Sequence, residues 1–392
     1  MRLNAFLARR PRPAALPPLW LAASALGSAI VALFGVARWV SHFASDPNAE
    51  DYRLQLGAAR VGLEHGWSHI YDIELQKAAS AGIGPIDSMH VFISPPSVAW
   101  VAAPLASLSV SSGYLAWTLI NLAALVVAWR LVVTGSPLAR ATLLAVALAV
   151  WPMHYQFWLG QTVVATLALL AVSWWLLERD HVVLAGIVLA LSFGFKPQDA
   201  LLVPLALLVS GRWKAFAAFA VAGAILFAAS AATIGTSGIA AWLNDVTLVR
   251  ADPHTAPMTY SYLFGRGALA AGVEVGLGLA ALGFAWHRRE RLDLVFALGL
   301  AGTTASATYL HEDDIAILVL AAWILLRTRQ SVALRVWLLA GVAAAQLIAI
   351  GQALPMLIWE PVWIVLLGFE PLMTRPEARQ PAVETPGLSR SL

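Results

Sequence analysis

Residues 161–211 read QTVVATLALLAVSWWLLERDHVVLAGIVLALSFGFKPQDALLVPLALLVSG. Three apolar runs, about 161–177, 182–195 and 198–211, are parted by a charged turn at Glu178–His181 and by the break at Lys196–Pro197. Apolar runs of this kind, repeated and joined by short polar turns, are helices that cross or line a bilayer. Proline at 197 ends the preceding helix, because it lacks a backbone donor and restricts the residue before it.

The rest of the chain repeats this pattern. Of its 392 residues, 60% are hydrophobic and only 12% charged, with a mean hydropathy of +0.74. A soluble domain carries about 25% charged residues, so there is too little polar surface here for one. The chain is therefore read as an all-α polytopic membrane protein. With no cysteine, disulfides, thiol nucleophiles and Cys-bound metals are excluded.

Arg2, Arg9, Arg10 and Arg12 precede an apolar stretch from about 16 to 40, too long for a cleaved leader and suited to a first span with its N-terminus inside. Further candidate spans run at about 112–133, 139–153, 213–234, 267–287, 292–309, 314–328, 332–352 and 356–371, in addition to the three quoted above. The segment 91–108, VFISPPSVAWVAAPLASL, contains Pro95, Pro96 and Pro104 and reads as a re-entrant or interfacial half-helix. That choice gives about twelve spans with both termini cytoplasmic. It places most of the Lys and Arg inside, including Arg288, Arg289, Arg291, Arg327, Arg329 and Arg335, as the positive-inside bias requires. On this reading 1–15 is a basic cytoplasmic segment, 16–373 one membrane domain, and 374–392 a Pro-rich disordered tail. The expected location is a bacterial-type inner membrane.

Two long outer loops, 41–93 and 235–266, hold much of the polar chemistry. The first contains SDPNAEDYRLQLGAARVGLEHGWSHIYD, in which Tyr52, Leu56, Ala59 and Leu63 form one helical stripe and Arg53, Arg60 and Glu64 lie on another face. The pattern predicts a short amphipathic helix in the membrane interface. Asp46 before Pro47 reads as its N-cap. Asp51 is then either a general base at the water–lipid boundary or a solvated first-turn acid favoured by the helix dipole.

Lys196 either pairs with Asp199, snorkels to the surface, or meets a phosphate at the outer face. Gln161 could bind a sugar or cap the following span, and Arg266 could clamp a phosphate or simply anchor a loop end. His311, Asp313 and Asp314, in YLHEDD at 309–314, could form a second acidic site. His65 and His69 have the spacing of a metal pair, but no HExxH accompanies them and no metal site is assigned. There is no nucleotide-binding glycine loop and no nucleophile elbow.

Taken in order, Asp51–Tyr52, the A-A-x-x-G-L-x-x-G of residues 58–66, Tyr71–Asp72, Phe92 to Pro96 with Pro104, Gly160–Gln161, Lys196–Pro197 and Arg212–Trp213 resemble the membrane glycosyltransferases of family 87. That group includes bacterial α-mannosyltransferases using polyprenyl-phosphate mannose. The chain departs from the pattern at Thr162–Val163, where relatives often carry Asn, and at Ser94, where an aromatic is usual. His311–Asp314 matches the family's late His-rich segment only in part.

The resemblance implies a GT-C-like bundle with interfacial helices in the first outer loop. It also implies inverting transfer of a hexose, mannose in relatives, from a polyprenyl phosphate to an acceptor hydroxyl. Asp51 takes the base position, and Tyr52, Gln161, Lys196, Arg266, His311 and Asp314 are the expected substrate contacts. The partners implied are the lipid-linked sugar, a glycan or glycolipid acceptor and the bilayer, with no nucleic acid and no cofactor; a divalent metal requirement is left open. A lipid-linked sugar transporter or flippase would need the same cations but no base, with polar residues recurring along the inner halves of the spans. Those halves read as Ala, Leu and Val almost throughout.

Overall fold

The computed structural model describes residues 18–45, 50–80, 91–251, 257–328 and 330–370. Asp46, expected as a cap, the N-terminal arginines, Arg329 and the tail lie outside the described residues. Among the described residues seventeen α-helices follow one another, with short 3₁₀ turns between several of them. In order, they are α1 Leu19–Ser45, α2 Glu50–His65, α3 Ile73–Ser80, α4 Pro96–Ala102, α5 Val110–Val132, α6 Pro137–Ala149, α7 Trp151–Leu159, α8 Val163–Leu177 and α9 Val182–Phe193. There follow α10 Leu202–Val209, α11 Trp213–Ala251, α12 Tyr260–Phe264, α13 Ala268–His287, α14 Leu292–Ala305, α15 Leu318–Leu325, α16 Val332–Leu347 and α17 Leu354–Phe369.

Helix starts follow local chemistry. Ser109, Ser136 and Ser331 cap α5, α6 and α16, each hydroxyl accepting from the backbone N–H three residues on. The core is α8 and α14. On α14 every residue from Leu294 to Ala305 is buried, as expected of a helix apolar on all sides at the centre of a bundle. Glycine sets the closest approach of α9 to α11. A Cβ on Gly186 would collide with the Ala215 carbonyl and the Ala218 methyl, so only hydrogen fits there.

Among the described residues, five helices are long and apolar enough to cross a membrane: α1, α5, α11, α13, and α16 with the turn after it. The pair α6 and α7, bent by 61° at Val150, makes a possible sixth. The remaining apolar helices are 10–17 residues long, shorter than the roughly 20 residues of an upright crossing. The apolar faces of α1 and α11 look outward, with Leu33 and Phe227 exposed, which is where lipid would lie. The segment expected to re-enter is helical from Pro96 to Leu105, about 15 Å of rise and half of a bilayer core.

One expectation needs correcting. Helix α2 is not an amphipathic helix on a surface, because it is buried on nearly all sides. Tyr52, Leu56 and Ala59 pack on Tyr114 and Trp117 as the stripe predicts, but Arg53 and Gln55 are buried too, and Leu63 is 58% exposed. The reason lies in the small residues. Gly57, Ala58 and Gly62 let α3, α4 and the turn at Trp67–His69 close over the other face, with Gly62 directly against the Trp67 ring.

The described part of the second long loop, 235–266, is largely helical as well. Helix α11 breaks at Gly235, whose φ of 66° favours glycine. Its far half packs over the first loop, where Trp242 donates to the Ile93 carbonyl at 2.9 Å.

Candidate functional site

Helix α7 ends at Gly160, which takes the left-handed conformation and turns the chain sharply. Its carbonyl accepts from the Trp117 indole at 2.9 Å and from Gln55 at 3.2 Å. This clamp fixes the next side chain. Gln161 Nε2 donates to Asp51 Oδ2 at 2.7 Å, joining the start of α2 to the end of α7.

Asp51 is partly accessible yet surrounded by protein, and its affinity for a proton rises to about 7. Burial is the main cause, and the neighbouring Asp313 charge adds to it. Lys196, His311 and the Gln161 hydrogen bond oppose it. A carboxylate whose proton affinity matches neutral pH is suited to general-base work.

Beside it, Lys196 sits between α9 and the Pro197–Asp199 turn and is only 6% exposed. Its ammonium donates to Asp313 Oδ2 at 2.8 Å and to Asp314 Oδ1. Asp314 also accepts from the His311 backbone N–H at 2.8 Å. Asp313, Asp314 and Asp199 are all buried. Lys196 therefore does not snorkel, and its hydrogen-bonded partners are Asp313 and Asp314 rather than Asp199, whose charge nevertheless acts on it.

Five of the expected residues thus converge: Asp51, Gln161, Lys196, His311 and Asp314. Tyr52 does not join them. Tyr52, adjacent to Asp51 in sequence, turns into the core with its ring 5.9 Å from that of Tyr114, because successive helical residues point about 100° apart. Arg266 is exposed between α12 and α13.

The structure adds neighbours that were not chosen from sequence. Glu312 accepts from the Trp151 indole at 2.7 Å. Tyr155, stacked on Trp151 at 5.2 Å, lies within electrostatic reach of Asp51 and Asp313, and Tyr309 is close to Asp51 and Lys196. Tyr309 stands in the YLHEDD cluster, so that segment was visible even though this member was not chosen. Among the described residues no group of three or more His, Asp or Glu side chains has the geometry to hold a metal ion.

A multi-pass helical bundle that buries an acid–lysine cluster next to a partly accessible carboxylate has the build of a membrane-embedded enzyme. Residues 92–330, more than half of the chain, match the model of glycosyltransferase family 87, and the chain belongs to that family. It is accordingly a membrane glycosyltransferase. The match takes in Gln161, Lys196, Arg266, His311 and Asp314, whereas Asp51 lies ahead of it. Neither a curated protein nor a solved structure matches the chain.

Proposed function

We propose that the enzyme moves a hexose, mannose by resemblance, from a polyprenyl phosphate to an acceptor hydroxyl on the outer face of a bacterial-type inner membrane, with inversion. The observation carrying this reading is the Gln161–Asp51 hydrogen bond. It orients one carboxylate oxygen by a neutral amide, so the group keeps its basicity instead of losing it to a cation.

In the proposed reaction the acceptor oxygen attacks the anomeric carbon and Asp51 takes its proton. The bond from that carbon to the phosphate oxygen breaks on the opposite face, and the polyprenyl phosphate leaves with the electron pair. His311, partly exposed beside Asp51, would meet a sugar or acceptor hydroxyl. Asp314 and Asp313, tied by Lys196, would hold the loop that carries it. The twelve-span arrangement with both termini inside remains part of the proposal, with α8, α9, α10, α14, α15 and α17 as short pieces within the bundle where the bilayer is locally thinned.

The test is transfer of radiolabel from polyprenyl-phosphate mannose in proteoliposomes, wild type beside Asp51→Asn. Transfer by the wild type and its loss in a folded mutant is expected. Near-normal turnover in Asp51→Asn would remove the base assignment.

A further inference from the structure

Helices α5 and α6 meet at a tight reversal. Gly135 has a φ of 117°, a value that favours glycine, and Ser136 then caps α6 with Pro137 in its first turn. The reversal brings Arg130, in the last turn of α5, and Arg140, one turn into α6, to the same end of the bundle. Trp129 fastens the two helices. Its indole donates to the Arg140 carbonyl at 2.9 Å, and the Arg140 guanidinium lies 4.9 Å from the centre of its ring.

Among the described residues no carboxylate forms an ion pair with Arg130 or Arg140. Arginines near helix ends in a membrane commonly do no more than reach for the interface. Arg140 is placed differently. Its planar fork is held against a ring, and its Nε is buried without a hydrogen-bond partner. Arg327, which donates to the Val132 carbonyl at 2.8 Å, adds positive charge at the same end.

Both Arg130 and Arg140 line an open cavity of about 760 Å³ between α1 and α6. Away from the arginines its walls are apolar. Ala141, Leu144 and Leu148 form the α6 wall, and Ala29, Ala32 and Leu33 the α1 wall. Each set recurs every three or four residues and so lies on one face of its helix. The alanines hollow the seam, and Leu33, 68% exposed, opens its side to lipid. From Arg140 to Leu148 the trough runs about 12 Å of helix rise, close to half of a roughly 30 Å hydrocarbon core.

The arginine end is remote from the reaction centre. Tyr114, at the start of α5, donates to the Phe157 carbonyl near Gly160, whereas Trp129 lies about 22 Å of helix rise further along α5. With the Asp51 end facing outward, the arginines lie in the cytoplasmic leaflet. A lipid held there is therefore not the sugar donor.

We infer that this groove binds an anionic phospholipid of the cytoplasmic leaflet, with its phosphate between Arg130 and Arg140 and one acyl chain in the trough between α1 and α6. Basic pockets between helices on the cytoplasmic side are where anionic headgroups bind, and a trough one leaflet long suits an acyl chain better than a long prenyl chain. The lipid fills the seam that joins α1 to the bundle. The inference goes beyond the transfer reading and takes from it only the topology that sets the leaflet.

The experiment is native mass spectrometry of the detergent-solubilised full chain, titrated with phosphatidylglycerol and, separately, with phosphatidylcholine. Arg130→Gln combined with Arg140→Gln should weaken phosphatidylglycerol about tenfold or more, the loss expected for charge-assisted contacts, and leave phosphatidylcholine unchanged. Ala141→Trp, which fills the trough from an exposed position, should weaken both lipids. Arg179→Gln should weaken neither, because Arg179 also lies over a tryptophan but outside the groove. Wild-type affinity in the double arginine variant, an equal loss of both lipids in it, or an equal loss in Arg179→Gln would each overturn the assignment. So would undecaprenyl phosphate competing as well as phosphatidylglycerol, which would return the groove to the donor lipid. A lipid-free dimer that the double arginine variant dissociates would put a second copy of the chain there instead. Binding that depends on both arginines, in a chain that transfers no sugar, would leave this site standing while the transfer reading fails.

Discussion

The Asp51 corner and the Lys196 corner adjoin, yet they treat carboxylates in opposite ways. Asp51 is held by a neutral amide and stays partly accessible, so burial raises its proton affinity to about 7 with no bonded cation to cancel the effect. Asp313 and Asp314 are closed off from solvent and share one ammonium. The first arrangement keeps a carboxylate reactive. The second uses two of them to fix a loop. The difference comes from the partner, since both corners are built from the same acid within one protein interior.

The largest break in this comparison should come from removing the reactive member. Asp51→Asn keeps the shape and the Gln161 contact but removes the base, and transfer should fall by about 10²–10⁴-fold in a proteoliposome assay. Removing the structural cation should instead damage the fold. Lys196→Met leaves two buried acids without their partner, which costs about 3–5 kcal/mol and should appear as lost thermal stability in detergent. Adding Asp313→Asn and Asp314→Asn to that variant should restore much of the loss, because the unpaired charges go with them.

A smaller change sharpens the contrast. Activity should rise with pH as Asp51 loses its proton near 7, since only the ionised form accepts from the substrate. The Gln161 hydrogen bond favours the ionised form, so Gln161→Leu should move this midpoint to higher pH and lower the rate by about tenfold at neutral pH. A pH–rate profile unchanged in Gln161→Leu would dissociate the amide from the base.

The ionised state also has a stability sign. With the folded-state value raised above 3.8, protonated Asp51 favours the fold, and that contribution is lost as pH rises through about 7. Asp51→Asn should therefore melt at or above the wild-type temperature at pH 8. The smallest effect belongs to Tyr52→Phe. The Tyr52 hydroxyl is buried without a hydrogen-bond partner, so its removal should leave both transfer and melting temperature nearly unchanged.

The membrane class was legible from the three apolar runs at 161–211, and the helical breaks fall where Pro197 and Gly160 put them. Much of the site was legible too, because polar residues between apolar runs are few and conspicuous. Gln161 and Lys196 stood out on that basis alone. Pairing did not follow from spacing. Lys196 has an acid three residues away at Asp199, but the acids it bonds are 117 and 118 residues distant, brought there as the Pro197–Asp199 turn packs on α14 and the Asp314–Ile317 turn packs on α8 and α14. Tyr52 was misplaced because a helix turns adjacent residues apart. Helix α2 is more buried than its stripe implies because Gly57, Ala58 and Gly62 lie where neighbouring segments close.

The break at Gly235 has a consequence for how the chain is made. The far half of α11 covers the first loop, and the hydrogen bond between Trp242 and Ile93 joins residues 149 apart. At 5–20 residues per second, synthesis takes roughly seven to thirty seconds to deliver that cover after Ile93 has emerged. During this interval α2 and its carboxylate are on the membrane without their lid. Catalytic competence is thus a late event of biogenesis, reached only when the second loop arrives to finish the first.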